Sequence, residues 1–418
     1  MKIAAAQLTA AADALAAVLP MTQPADAALH RFFRAHPRLG QNDRAFVAET
    51  VFGVLRRRYT LEYLFGAAAL TPRRLVLAFL NRVSGISARA LEPLLKHDDA
   101  QWLAAARAGG EPPLEVAAEL PAWLVARLAP ELPRDEILAL GRALAQPAPL
   151  DLRVNPLLVT RDEVLAQFAR EGIAAQPTPY SPLGVRLADK PALNRHPLFT
   201  SGKIEVQDEG SQLLCLLLAP KRREMVVDFC AGAGAKTLAL GALMHSQGRL
   251  YAFDVSEKRL ERMKPRLRRS GLSNVHPLRI RDESDARIKR LAGKIDRVLV
   301  DAPCSGFGTL RRNPDLKWRQ SETGVAELAA KQRAILAAAA TLLKPGGRLV
   351  YATCSILRAE NQDVVADFLA AHPPFRRLPA NAALAQHKIA LDTGDDLQLW
   401  PHRHGCDGFY AAVMERAA

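Results

Sequence analysis

From residue 221 onward, short apolar runs alternate with segments of helical period, and this alternation leaves few folds open. MVVDF is an apolar run containing Asp228; LALGALM reads as helix, GRLYAFD as strand, SEKRLERMKPRLRRSG as helix and VHPLRI as strand. DRVLVD is a further strand, AELAAKQRAILAAAATLLKPGG a helix and RLVYATC a strand. Another helix is expected after Glu360, and two short strands near LQLW and GFYAAVM. Strands separated by helices pair in parallel, because each crossover needs the length of a helix. The expectation for 221–418 is therefore an α/β Rossmann-like domain with a mostly parallel sheet. Its ligand should lie beyond the carboxyl ends of the strands.

The earlier parts read differently. Residues 1–145 carry apolar side chains every three or four positions and no alternating pattern, so an all-α domain is expected. Within it Phe46, Val47, Val51, Val54 and Leu55 share a helix face, and Arg56, Arg57 and Arg58 stand at what reads as its end. Cations there suit a helix macrodipole and, equally, a phosphate-binding patch. Residues 146–220 combine a strand-like LDLRVNPL, a helix RDEVLAQFAREG stopped at Gly172 and a strand-like VRLA, a small α+β unit. A chain of 418 residues is long enough for this multidomain arrangement.

The net charge is +14 and the isoelectric point about 9.9. Such a balance points to a polyanionic partner, nucleic acid first, with a solvated basic surface as the plainer alternative. The five cysteines (Cys215, Cys230, Cys304, Cys354 and Cys406) are scattered and include no CxxC pair. Neither a disulfide framework nor a metal site is expected, and a reducing cytoplasm fits. Gln7, Thr9 and Asp13 interrupt the alanine-rich N-terminal run, which reads as an amphipathic helix rather than a signal peptide. No run of about 20 apolar residues offers a membrane span.

The first strand runs into FCAGAGAKT, Phe229 to Thr237, whose small residues let backbone approach a ligand and start a helix. A phosphate-binding P-loop would need glycine at 230 and 235, where Cys230 and Ala235 stand. The dinucleotide fingerprint finds Gly232 and Gly234 but meets Thr237 at its third glycine. Asp254 ends the second strand about twenty residues on, where a carboxylate can accept hydrogen bonds from ribose hydroxyls. Asp282 ends the third strand and Asp301 the fourth. Singly, each reads as a cap or turn residue; with Asp228 in the first strand, four strand-end aspartates on one edge read as ligand groups. Without a phosphate-gripping loop, a nucleoside such as S-adenosylmethionine fits better than a dinucleotide.

Cys304 follows the fourth strand and Cys354 the fifth. Neighbouring strands lie about 4.8 Å apart, so the two thiols should meet over the ligand edge. The bland alternative is a pair of small buried residues.

These stretches, together with VQDEGSQLL, DAPCSGFGTLRRNPDLKW, YATCSILRAEN and the terminal CDGFYAAV, resemble the Fmu/Sun/RsmB group of RNA cytosine-5 methyltransferases over roughly residues 150–418. DRAFVAETVFGVLRR is similar to the NusB-like RNA-binding domain of the RsmB subgroup. The resemblance implies S-adenosylmethionine as cofactor, bound by Cys230, Ala231, Gly232, Ala233, Gly234, Ala235, Lys236, Asp254, Asp282 and Asp301. It implies Cys354 as nucleophile, Cys304 as the group that assists release, and Asp301 also reaching the base. Cytosine C5 is a poor nucleophile, and a thiolate added at C6 makes it reactive. The implied substrate is RNA, small-subunit (16S) ribosomal RNA in the RsmB subgroup, with the base unstacked or flipped. A cytoplasmic monomer is expected. Where the family's loop usually reads CAAPGGKT, this chain has Ala233-Gly234 for Pro-Gly and Ala235 for the second glycine.

Pro303-Cys304 also matches the Pro-Cys nucleophile of DNA cytosine-5 methyltransferases, which is the alternative reading; the TCS cysteine and the basic helical N-terminus favour RNA. A non-catalytic RNA-binding factor would have no need of both cysteines. An amino-group methyltransferase would want an Asn/Asp-Pro-Pro-aromatic motif where DAPC stands.

Overall fold

The computed structural model describes residues 3–96, 98–107 and 110–418; Met1 and Lys2, at the head of the expected first helix, lie outside them. The chain forms two compact units. One is Met1–Pro147 with Thr309–Glu322, the other Ala148–Gly308 with Thr323–Ala418.

The first unit is helical, as its periodicity predicts. In the helix Ala5–Val18 the residues Leu8, Ala11, Leu15 and Val18 are buried, one stripe at helical spacing. That stripe packs with Val47, Val51, Val54 and Leu55 of the helix Gln41–Phe65 in a single core. Two helical stretches meet here across a kink at Arg57, so the three arginines stand where the first of them ends, as the sequence pattern expects. Arg56 donates to the carbonyl of Arg311, and Arg58 pairs with Glu62 at 2.7 Å while lying over the Trp318 ring.

Trp318 and its neighbours correct the expected domain boundaries. The segment carrying RRNPDLKW belongs to the helical unit, although the sequence pattern counts it with residues 221–418. Trp318 stacks on Tyr59, Asp315 accepts from Ala25 N–H, and the buried Lys317 ammonium reaches the Arg56 carbonyl, the Glu119 carbonyl and the Glu119 carboxylate.

The second unit holds two sheets. Strands β1 (Leu150–Val154), β2 (Ala175–Pro177), β3 (Gly184–Leu187) and β4 (Ile204–Val206) form an antiparallel sheet in the order β2-β3-β1-β4. The helix Arg161–Arg170, started by a Thr160/Glu163 capping box, lays Val164 and Phe168 on it. The larger sheet contains β5 (Met225–Asp228), β6 (Arg249–Asp254), β7 (Val275–Arg279), β8 (Ile295–Asp301), β9 (Leu343–Thr353), β10 (Phe375–Leu378), β11 (Leu397–Leu399) and β12 (Phe409–Arg416). Its order is β10-β12-β9-β8-β5-β6-β7, with β11 against β12. The five strands from β9 to β7 are parallel, and β12 and β10 are antiparallel additions.

Alternate residues of the central strands enter opposite cores. Val226, Leu299, Val350 and Ala352 face one; Val227, Val298, Val300, Leu349 and Tyr351 face the other. A sheet covered by helices on both faces needs such unbroken apolar runs, which is why they are legible in the sequence. The helix Glu209–Leu218 is wholly buried and its leucines enter the first of these cores, so this layer begins before residue 221. Among the described residues no helix is long and apolar enough to cross a membrane.

Candidate active site

β5, β6, β8 and β9 end side by side, and a cavity of about 430 Å³ opens there. Cys230, Ala231, Gly232, Ala233, Ala235, Lys236, Asp254, Asp301, Cys304 and Cys354 line it. Gly234 does not. It caps the helix Ala235–Leu243 with φ of 86°, and an added Cβ would meet Met263 Cγ at 2.5 Å. Two arginines hold the loop's carbonyls: Arg153 donates to Ala235 O and Arg266 to Ala233 O, each at 2.7 Å.

Asp254 accepts from Gly232 N–H at 2.8 Å and Ser256 N–H at 2.7 Å, and pairs with Arg259 at 3.0 Å. A carboxylate offers about four lone-pair sites, so acceptor capacity remains for a ligand hydroxyl. Asp282 stands apart from this cavity. β7 stops at Arg279, and the Asp282 carboxylate accepts from the N–H and hydroxyl of Ser284 and pairs with Arg281. Asp285 is likewise occupied, by Arg281 N–H and Arg287. Ile280 and Glu283 line that wall instead, with Glu283 bonded to Lys331.

Asp228, which ends β5 on the same edge, also lines the cavity. It is fully buried, accepts from Thr237 Oγ1 at 2.7 Å and leaves Oδ1 without a partner. Burial pushes its carboxyl up to about 7. Burial also pushes the Cys230 thiol up, so that it stays a thiol. Arg259, Val255 and Ile335 are further lining residues that no motif flags.

Cys304 Sγ and Cys354 Sγ lie 3.4 Å apart. The hydrogen bond to Cys354, then burial, then the negative charges of Cys354, Glu360 and Asp301 raise the Cys304 pKa well above the ordinary thiol value. Lys236 Nζ sits 2.6 Å from Asp301 Oδ2. Burial opposes the ammonium charge, but Asp301 outweighs it and holds the Lys236 pKa above its usual value. Gly308 N–H donates to the Cys354 carbonyl at 2.9 Å. Gly308 has no room for a Cβ, which would meet Gly408 O at 2.1 Å.

A mostly parallel sheet with acidic strand ends, a glycine-containing loop that opens a helix and paired thiols defines a Rossmann-like methyltransferase fold. The sequence model described as "16S rRNA methyltransferase RsmB/F" matches residues 215–415, and that of the RsmF/B-like ferredoxin-like domain matches 120–194. The chain is 33% identical to the "Probable ribosomal RNA small subunit methyltransferase B" of Synechocystis, over 94% of this chain and 95% of that one. It is 35% identical to the protein so described in Bacillus subtilis, over 71% and 66%. The crystal structure of PH0851 superposes over the full length of both chains with a TM-score of 0.82 at 26% identity. The chain belongs to the RsmB/F methyltransferase family.

Proposed function

We propose that this protein is an S-adenosylmethionine-dependent RNA (cytosine-5-)-methyltransferase that acts on small-subunit ribosomal RNA through a covalent adduct between Cys354 and C6 of the base. The observation that carries the reading is the 3.4 Å approach of two thiols at the cavity edge. One thiol serves an addition; two at hydrogen-bond distance serve addition and elimination on the same ring. The names of the relatives point to the small ribosomal subunit, and the charge of +14 fits a polyanion.

The donor set fits the cofactor. Asp254 offers acceptors to ribose, Asp228 an unpartnered oxygen, and Val255, Ile280 and Phe229 an apolar wall. When bound, S-adenosylmethionine supplies an electrophilic methyl group. Cys354 as thiolate adds to C6 and makes C5 nucleophilic. Once C5 is methylated, a water molecule takes the C5 proton as the C6–S bond breaks, the bonding electrons return to sulfur, and Cys354 departs as a thiolate that can accept a hydrogen bond from the Cys304 thiol. Cys304, whose thiol holds its proton at neutral pH, stands beside Cys354 to assist this release. Lys236 orients the Asp301 carboxylate towards the base. The five free thiols fit a reducing cytoplasm.

Two experiments test the reading. Bisulfite sequencing of ribosomal RNA from cells with and without the gene should show one cytidine lose its mark. Cys354→Ala should abolish methylation and form no adduct, whereas Cys304→Ala should leave protein trapped on methylated RNA as a band that survives a denaturing gel. The DNA-type assignment predicts the reverse, and a trapped band from Cys354→Ala alone would overturn these roles for the two thiols.

A further inference from the structure

Beneath the two cysteine turns lies a carboxylate that the addition and elimination chemistry does not use. Glu360 is fully buried, at the end of the short turn Arg358–Glu360. Its Oε1 accepts from Ser305 N–H at 2.8 Å and from Gln332 Nε2 at 3.0 Å. Its Oε2 accepts from the hydroxyls of Ser305 and Ser355, each at 2.5 Å. Ser305 is the residue after Cys304, and Ser355 the residue after Cys354. Gln332 also donates to Pro303 O at 2.9 Å, and Tyr351 OH donates to the Glu360 carbonyl at 2.6 Å. The turns come from different strands, and hydrogen bonds to this one carboxylate join them.

We propose that Glu360 is the positioning residue of the cysteine pair: bonded to the residue after each cysteine, its carboxylate sets the spacing of the two thiols at the target base. It rests on the two-thiol reading of the site. Hydrogen bonds to an ionised carboxylate are about twice as strong as neutral ones, so the bracket is stiff. Its charge also faces Cys304, as do Cys354, Asp301 and the Tyr351 hydroxyl, with Lys236 paired to Asp301 behind them. A neighbouring negative charge disfavours a thiolate, which suits a thiol that must hold its proton until release.

The test uses the full-length chain with Glu360→Gln, which keeps shape and removes charge. The first readout is the pH midpoint of Cys304 alkylation by iodoacetamide, followed by peptide mass. It should move to lower pH by about one unit. The second is single-turnover methyl transfer, which should slow about ten- to a hundred-fold while affinity for S-adenosylhomocysteine by calorimetry stays within about twofold. An unmoved midpoint, or a loss of cofactor affinity equal to the loss of rate, overturns the proposal. If Glu360→Gln does not fold, Ser305→Ala and Ser355→Ala, each removing one hydroxyl arm and keeping the charge, decide by the transfer rate, which should slow while cofactor affinity stays within about twofold; an unchanged rate overturns the proposal. Alkylation needs no RNA, so a wrong substrate shows as an inactive wild type, and a wrong role for Glu360 as an unmoved midpoint.

Discussion

Asp228 buries one carboxyl oxygen with no partner, and this has a measurable consequence. Burial raises its folded pKa from 3.8 to about 7, so the folded state holds the proton more tightly than the unfolded one. Its contribution to stability is then complete below about pH 4 and is lost as pH rises through about 7. Asp228→Asn keeps the shape without the titration. The wild-type Tm should fall relative to the variant across that span, and a constant difference would contradict the assignment. The residues legible from the sequence are those whose strand-end position is written in the local pattern: Asp254, Asp301, Cys304 and Cys354 all reach the cavity. Asp282 is not among the residues that line the cavity, because β7 ends at Arg279 and the chain turns away before it. Glu360 is invisible in the sequence although it lies within YATCSILRAEN. Its meaning depends on Ser305, 55 residues away, and no local spacing encodes that pairing.

At the scale of elements, the loop from Phe229 to Lys236 departs from its family's usual wording and turns on two glycines. Gly232 and Gly234 both have positive φ, at 56° and 86°. A side chain at either costs about 1–2 kcal/mol of backbone strain. At Gly234 it would also strike Met263, whereas at Gly232 nothing lies within 4 Å. Gly234→Ala should therefore lose more stability in urea, and more affinity for S-adenosylhomocysteine, than Gly232→Ala. Equal losses would show that the Met263 contact is unimportant. The helices and strands themselves are readable because burial on one face or both imposes a period. The end of β7 is not, since His276 and Pro277 are exposed and the strand lacks that imprint.

At the scale of the molecule, the domain boundaries are the least legible feature. Trp318 and Lys317 sit in a motif that reads as a catalytic-domain loop, and only their partners Tyr59, Arg56 and Glu119 place them in the helical unit. Burial lowers the Lys317 pKa to about 8, with Glu119 partly offsetting it. Removing one partner of a buried ion pair strands the other, so Lys317→Met should destabilise the helical unit by about 3 kcal/mol. Chemical denaturation followed by tryptophan fluorescence would read this, and a loss under about 1 kcal/mol would show the pair to be dispensable. A chain begun near residue 146 would likewise strip Trp318 of its apolar seat, so RNA-binding tests are better made on point variants. The double passage of the chain through this unit also has a temporal side. Glu322 follows Pro147 by some 175 positions. At roughly 5–20 residues per second, the ribosome needs on the order of ten to thirty-five seconds to supply the missing piece. For that interval the nascent N-terminal helices wait with an open apolar surface, exposed to chaperones and to other emerging chains.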